Sequence, residues 1–244
     1  MALTATATVA TRRKIISSLN MRGCCVVSRN PYKSNIYYSV QKKTTIEECF
    51  LPIVQEVASK VITAERTIIF CRSLKDCFSI YQYFQMQLKQ GMYYPKGSPS
   101  LSKYRLVDMF TGITEDAVKT TIIENCTSAE GCCRIVIGTI AFDMGLNSPN
   151  VRNVIHWGPS SDIESYVQES GRVGRDGEAA FATLYYGDTD FSGGGVSSDM
   201  KKYCRYSSGC RKQFLFKHFD GASGDVIDYD YVCCDICDNI EMCH

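Results

Sequence analysis

Short apolar runs alternate with segments of helical period along most of this chain, and that alternation restricts the fold more than any other feature. Residues 66–71 (RTIIFC) form an apolar run that ends at a charged residue. From Ser73, a candidate N-cap, Leu74, Cys77, Phe78, Tyr81 and Phe84 recur at three-to-four spacing, which predicts a helix over 73–90. Residues 91–103 are rich in Gly, Pro and Ser and read as a surface loop. The pattern continues with strands at 104–110, 133–138, 151–156 and 179–186 and helices at 114–125 and 161–170. Upstream, 35–40 reads as a strand, 45–62 as a helix and 8–20 as a further short helix. Strand–helix–strand repetition implies right-handed parallel crossovers and a three-layer α/β domain. Ligands of such sheets bind beyond the C-terminal ends of the strands, so function is expected at the turns after residues 71, 110, 138 and 156.

Charge gives no direction: 27 Lys and Arg oppose 26 Asp and Glu, so a nucleic-acid surface must be a local patch. No apolar run approaches the ~20 residues of a membrane helix, and the Thr-rich start (MALTATATVATR) lacks the order of a secretory signal. Cysteine is the outlier, at 14 of 244 residues. Cys71, Cys132 and Cys133 lie in expected strands and read as small apolar groups in a reducing compartment. Cys204, Cys210, Cys233, Cys234, Cys237 and Cys243 crowd the C-terminal end. A Gly/Ser stretch at 192–198 reads as a linker. A helix-like basic segment at 201–217, with a possible DNA-facing role, follows it. Residues 225–244 then carry acidic groups and no Lys or Arg.

The most informative string is Gln168-Glu-Ser-Gly-Arg172-Val-Gly-Arg175-Asp-Gly177. Gln168 and Arg172 are four apart and share a helix face. Gly174 lets the chain turn, and Arg175 follows, so two guanidinium groups suited to bidentate phosphate recognition project from one element. A solvated basic helix end is the plain alternative for two arginines alone. The whole string resembles motif VI of RecQ-type DNA helicases, within helicase superfamily 2. Residues 3–8 (LTATAT) resemble motif III, 67–73 (TIIFCRS) motif IV and 136–147 (VIGTIAFDMGLN) motif V, all in the family's order. The resemblance covers nearly the entire chain. It implies the end of a first RecA-like domain over 1–27, a second RecA-like domain over 28–190 and a zinc-binding subdomain over 191–244.

The resemblance assigns Arg175 the arginine-finger role on the ATP γ-phosphate, Arg172 a second phosphate contact and Gln168 a coupling role. It places Thr4, Thr6 and Gly145 in the coupling of ATP state to domain motion. Arg72, Ser73 and Thr139 become contacts to DNA phosphates, which position a strand without reading its bases. For Ser73 or Thr139 alone the residues favour plain N-capping, and the resemblance reverses that more for Thr139 than for Ser73. Asn147 departs from the acidic residue usual at its place in motif V, so no role is carried to it.

In the tail the resemblance places zinc ligands at Cys210, Cys234 and Cys237. Cys233 is the nearest fourth candidate, and Cys204, Cys243 and His244 are the others. A Cys-x-x-Cys pair plus preceding cysteines can build a tetrahedral thiolate site. Free buried cysteines and a redox Cys-x-x-Cys are the competing readings, the latter disfavoured by the acidic surroundings. The sequence holds no G-x-x-x-x-G-K-[ST] string and no Asp-Glu dipeptide. The residues that would cradle ATP and Mg²⁺ are therefore expected on a first RecA-like domain missing from these 244 residues. Two functions follow: part of an ATP-dependent 3′-to-5′ DNA helicase, nuclear by its substrate, or a non-catalytic zinc-stabilised module that binds nucleic acid or a partner.

Overall fold

The computed structural model describes residues 1–4, 6–139, 150–219 and 233–240. Gly145, Asn147, most of the string resembling motif V, Cys243 and His244 lie outside them. Among the described residues, six strands form one parallel sheet in the order β1-β6-β5-β2-β4-β3. They are β1 (Ile36–Lys42), β2 (Arg66–Cys71), β3 (Val107–Phe110), β4 (Ile135–Gly138), β5 (Val151–Trp157) and β6 (Ala180–Tyr186).

The sheet is filled on both faces because its side chains alternate. Ile68 and Phe70 of β2 enter one apolar cluster with Val136, Val154 and Leu184. Ile69 and Cys71 enter another with Ile135, Ile137, Ile155 and Trp157. Helices α2 (Ile46–Lys60) and α3 (Leu74–Leu88) cover the second cluster through Phe50, Val54, Ile80 and Phe84. Helices α4 (Asp116–Thr127) and α5 (Ile163–Ser170) cover the first through Ile122, Ile163, Tyr166 and Val167. Strands buried on both faces read as continuous apolar runs, which is why β2 and β4 stood out in the sequence. The RecA-like, three-layer parallel architecture expected from the sequence is the one observed.

Local chemistry sets the element boundaries. Thr45 forms a capping box with Glu48 at the start of α2, and Asp162 Oδ1 accepts the Ser165 N–H at the start of α5 at 2.8 Å. Ser73 caps α3, accepting the Asp76 N–H at 3.1 Å. The strand expected from 104 begins only at Val107, because 102–104 form a 3₁₀ turn.

The C-terminal segments differ more from expectation. The basic stretch 201–217 is two helices, α6 (Ser198–Cys204) and α7 (Arg211–Phe216), separated at Gly209, whose φ is +84°. Arg211 and Lys212 are buried, so this stretch does not present one basic face to solvent. In the expected linker, 192–195 are exposed, but Val196 is buried and Ser197 caps α6 by accepting the Met200 N–H. Met200, Tyr203, Phe214 and Phe216 belong to the same apolar cluster as α5 and the sheet. Before the sheet, α1 (Val9–Ser18) docks against the end of α7 through the Val9 N–H on the His218 carbonyl, 3.1 Å. A final helix, α8 (Asp235–Ile240), lies beside β1. No described helix is long and apolar enough to cross a membrane.

Candidate functional site: an arginine turn, a crest cleft and a cysteine cluster

The arginine turn grows from the C-terminal end of α5. Gly171 ends that helix, and Gly174 reverses the chain with φ +57°. A Cβ at Gly174 would run into the Asn35 amide, so the tight approach requires glycine. Arg172 is buried and Arg175 exposed, so the two guanidiniums stand at different depths. Burial, with Arg175 nearby, pushes the Arg172 guanidinium below its ordinary range. Arg152 grips Asp176 through two bonds of 2.9 and 2.6 Å, which holds the Asp176 carboxyl down at about 2. The turn itself thus keeps its acidic residue occupied while Arg175 faces solvent.

The segment resembling motif III meets α5 here. The Thr6 hydroxyl donates to Gln168 Oε1 at 3.4 Å, joining two of the sequence-predicted residues. Thr8 and Thr11 donate to Glu164 Oε2 at 3.5 and 2.7 Å. Thr4 is exposed, and its hydroxyl donates to the Thr6 carbonyl at 2.9 Å.

A second feature lies at the crest of the sheet. The chain leaves β2 toward β3 and leaves β5 toward β6 on the opposite side, so their adjacent C-terminal ends form a topological switch point. A cleft of about 180 Å³ opens there, lined by Phe70, Cys71, Arg72, His156, Ser160 and Glu169 among others. Arg72 is exposed and donates to the Asp190 carbonyl. Ser73 sits beside it but spends its hydroxyl on Asp76, at 2.6 Å. Thr139, half-buried, follows β4 at the same end of the sheet. In the wall of the cleft, Glu169 Oε2 joins His156 Nε2 at 2.9 Å and accepts the Ser160 hydroxyl at 2.5 Å, all three residues largely buried. Sequence reasoning missed His156 and Ser160; only the fold brings the end of β5 over the last turn of α5.

The third feature is the cysteine cluster. Cys210, Cys233, Cys234 and Cys237 are buried, and their sulfurs all lie within 4.8 Å of one another. Cys210 and Cys233 approach to 3.3 Å and Cys234 and Cys237 to 3.4 Å. Tetrahedral Zn²⁺–thiolate bonds place sulfurs ~3.8 Å apart, so the four sequence-predicted ligands fit that ion. Cys204 is buried elsewhere in the apolar cluster. A hydrogen bond from the Cys210 thiol, with the Arg211 N–H also pointing at the sulfur, holds Cys234 down at about 5. The same contact pushes the Cys210 thiol up. That contact favours the thiolate form of Cys234, the form a metal needs. The cluster is docked to the sheet: the Tyr38 N–H donates to the Cys233 carbonyl at 3.2 Å, and the Val40 N–H to Asp235 at 3.0 Å.

Comparison with known proteins agrees with this geometry. Residues 41–177 match the helicase conserved C-terminal domain. The chain is 28% identical to ATP-dependent DNA helicase Q-like 2 of Arabidopsis thaliana, across 99% of this chain and 32% of that protein. It is 30% identical to ATP-dependent DNA helicase Q1 of Mus musculus, across 98% of this chain and 35% of that protein. The chain spans about a third of the length of these relatives. Among solved structures, S. cerevisiae Dbp5 bound to RNA and ADP BeF3 superposes with a TM-score of 0.53 at 18% identity, covering 82% of this chain and 48% of that one. That likeness concerns the fold. The domain match, the near-complete alignment to RecQ-like helicases and the parallel sheet together establish that this chain belongs to the helicase conserved C-terminal domain family, as the C-terminal part of a RecQ-type superfamily 2 helicase.

Proposed function

We propose that these residues are the arginine-bearing half of an ATP-dependent DNA helicase that translocates 3′ to 5′ on single strands and separates duplex DNA. The contact of Thr6 with Gln168, seven residues before an exposed Arg175, carries the reading. It joins the segment resembling motif III to the element that would meet a γ-phosphate. In this reading ATP and Mg²⁺ sit on another RecA-like domain. Arg175 reaches across to stabilise charge on the transferred phosphoryl group, with Arg172 as a second phosphate contact. Gln168, Thr4, Thr6 and Gly145 relay the nucleotide state. Arg72, Ser73 and Thr139 hold DNA phosphates at the crest, giving salt-sensitive, sequence-independent binding. Zn²⁺ on the four cysteines would supply structural cross-linking to a segment too small for its own core. DNA repair and recombination in the nucleus are the setting such an activity implies.

The 244 residues alone should not hydrolyse ATP. DNA-stimulated ATP hydrolysis by the purified chain tests this: the expected rate is at background. Turnover that disappears in Arg175→Ala would overturn it. In a protein that also carries an ATP-binding half, the same substitution should lower turnover about a thousandfold or more. A normal rate there would remove the arginine-finger role. Single-strand binding by the isolated chain is expected both here and for a non-catalytic binding module, so turnover in the presence of an ATP-binding half is what separates the two.

A further inference from the structure

The arginine turn is gripped by a short segment that the proposed mechanism does not use. Residues 32–35 run past the turn just before β1. Lys33 Nζ donates to the carbonyls of Gly171 and Val173 at 2.8 and 3.2 Å. Asn35 Nδ2 donates to the carbonyls of Gly174 and Glu178 at 2.8 and 2.7 Å. The Asn35 carbonyl accepts the Ala180 N–H at 2.9 Å. Two side chains of one segment thus satisfy four carbonyls that bracket Arg172 and Arg175.

The other residues of the segment face α7. Lys212 is 1% exposed, and its ammonium donates to the Ser34 carbonyl at 2.7 Å. It also lies 5.4 Å from the Tyr32 ring, which Phe216 meets edge-on at 5.3 Å. A lysine is almost never this buried unless its charge is held by acceptors, so the approach of Lys212 to Ser34 is a fixed feature of the packing. Cys210 immediately precedes α7, so whatever holds the four thiols together also holds the start of that helix.

We propose that residues 32–35 form a positioning strap that ties the arginine turn to the cysteine module, with Lys33 and Asn35 holding the turn and Lys212 anchoring the strap. Its functional meaning rests on the reading of Arg172 and Arg175 as phosphate contacts. Neither the spacing of motifs nor the comparisons assign a role to these three residues. Loosening the cysteine module would reach the arginines through two hydrogen-bonded steps, Lys212 to Ser34 and Lys33 or Asn35 to the turn.

Amide hydrogen exchange of the 244-residue chain tests the strap. Lys212→Met keeps the length of the side chain and removes its donor; Phe216→Leu removes the ring contact to Tyr32 and no charge. Each should speed exchange at 32–35 and at 171–178 about fivefold, within the range of couplings carried by packed networks, and leave β4 at 135–138 unchanged. Lys33→Met should speed 171–178 alone, and Lys33→Arg should restore most of the protection. If both tether variants loosen 32–35 while 171–178 exchanges as in the unmodified chain, the strap is overturned. A titration with tripolyphosphate, read on the Nε–H signals of Arg172 and Arg175, separates the two claims. No response in the unmodified chain removes the phosphate reading and leaves the exchange result standing. A response weakened about fivefold by Lys33→Met and recovered in Lys33→Arg supports both.

Discussion

Arg172 and Arg175 are three residues apart and stand in different surroundings, and that difference divides their tasks. Arg175 is exposed, so Arg175→Ala should change folding stability by no more than about 0.5 kcal/mol while abolishing any phosphate response; urea denaturation beside the titration separates the two effects. Glu169 is the opposite case. Its carboxylate serves both His156 and Ser160 below the surface, and Glu169→Ala would leave those groups without their acceptor. The expected cost is about 2–3 kcal/mol in urea denaturation, with Glu169→Gln milder because the amide oxygen still accepts. Asp176 adds a pH dependence. Its carboxyl titrates at about 2 against an ordinary value of 3.8, chiefly because of Arg152. A depressed acid stabilises the fold above its unfolded pKa, and that contribution is lost as the pH falls from about 4 toward 2. Asp176→Asn should therefore flatten acid unfolding in that window, measured by circular dichroism.

At the scale of elements, α5 carries Gln168 and launches the arginine turn, so its start matters to its end. Asp162→Ala removes the cap on the Ser165 N–H and should cost about 1 kcal/mol, readable as a lower urea midpoint. The elements legible in the sequence are those whose burial is set by their own neighbours. β2, β4 and β5 are central strands whose apolar runs announce them, and Ser73 marks a helix start by local chemistry. The arginine turn and the clustered cysteines were legible because their strings resemble those of a known family. The segment 201–217 was not. Lys202, Lys212 and Lys217 look alike in sequence, yet only Lys212 is buried, because its acceptor at Ser34 lies 178 residues away. Lys33, Asn35, His156 and Ser160 escaped for the same reason: their partners are supplied by the fold, at distances along the chain that no periodicity encodes.

Across the whole molecule, the apolar cluster on one face of the sheet runs without interruption from β1 and α5 into α6, α7 and the cysteines. The crest cleft sits at the C-terminal ends of β2 and β5. Single-strand binding there should fall steeply with salt, and Arg72→Ala should reduce the slope of log K against log salt by about 1, measured by fluorescence anisotropy. The docking of the cysteine cluster on β1 has a consequence for solubility. β1 is an edge strand of the sheet, and the amides of Tyr38 and Val40 find their acceptors in Cys233 and Asp235. The cluster is thus a cover over an otherwise open template for strand addition. Chelation of a bound metal should then do more than melt a local segment. It should expose β1 to the same strand of other copies, so that light scattering and intermolecular β-sheet infrared bands rise with protein concentration; a chelated chain that stays monomeric at high concentration would show that β1 needs no cover.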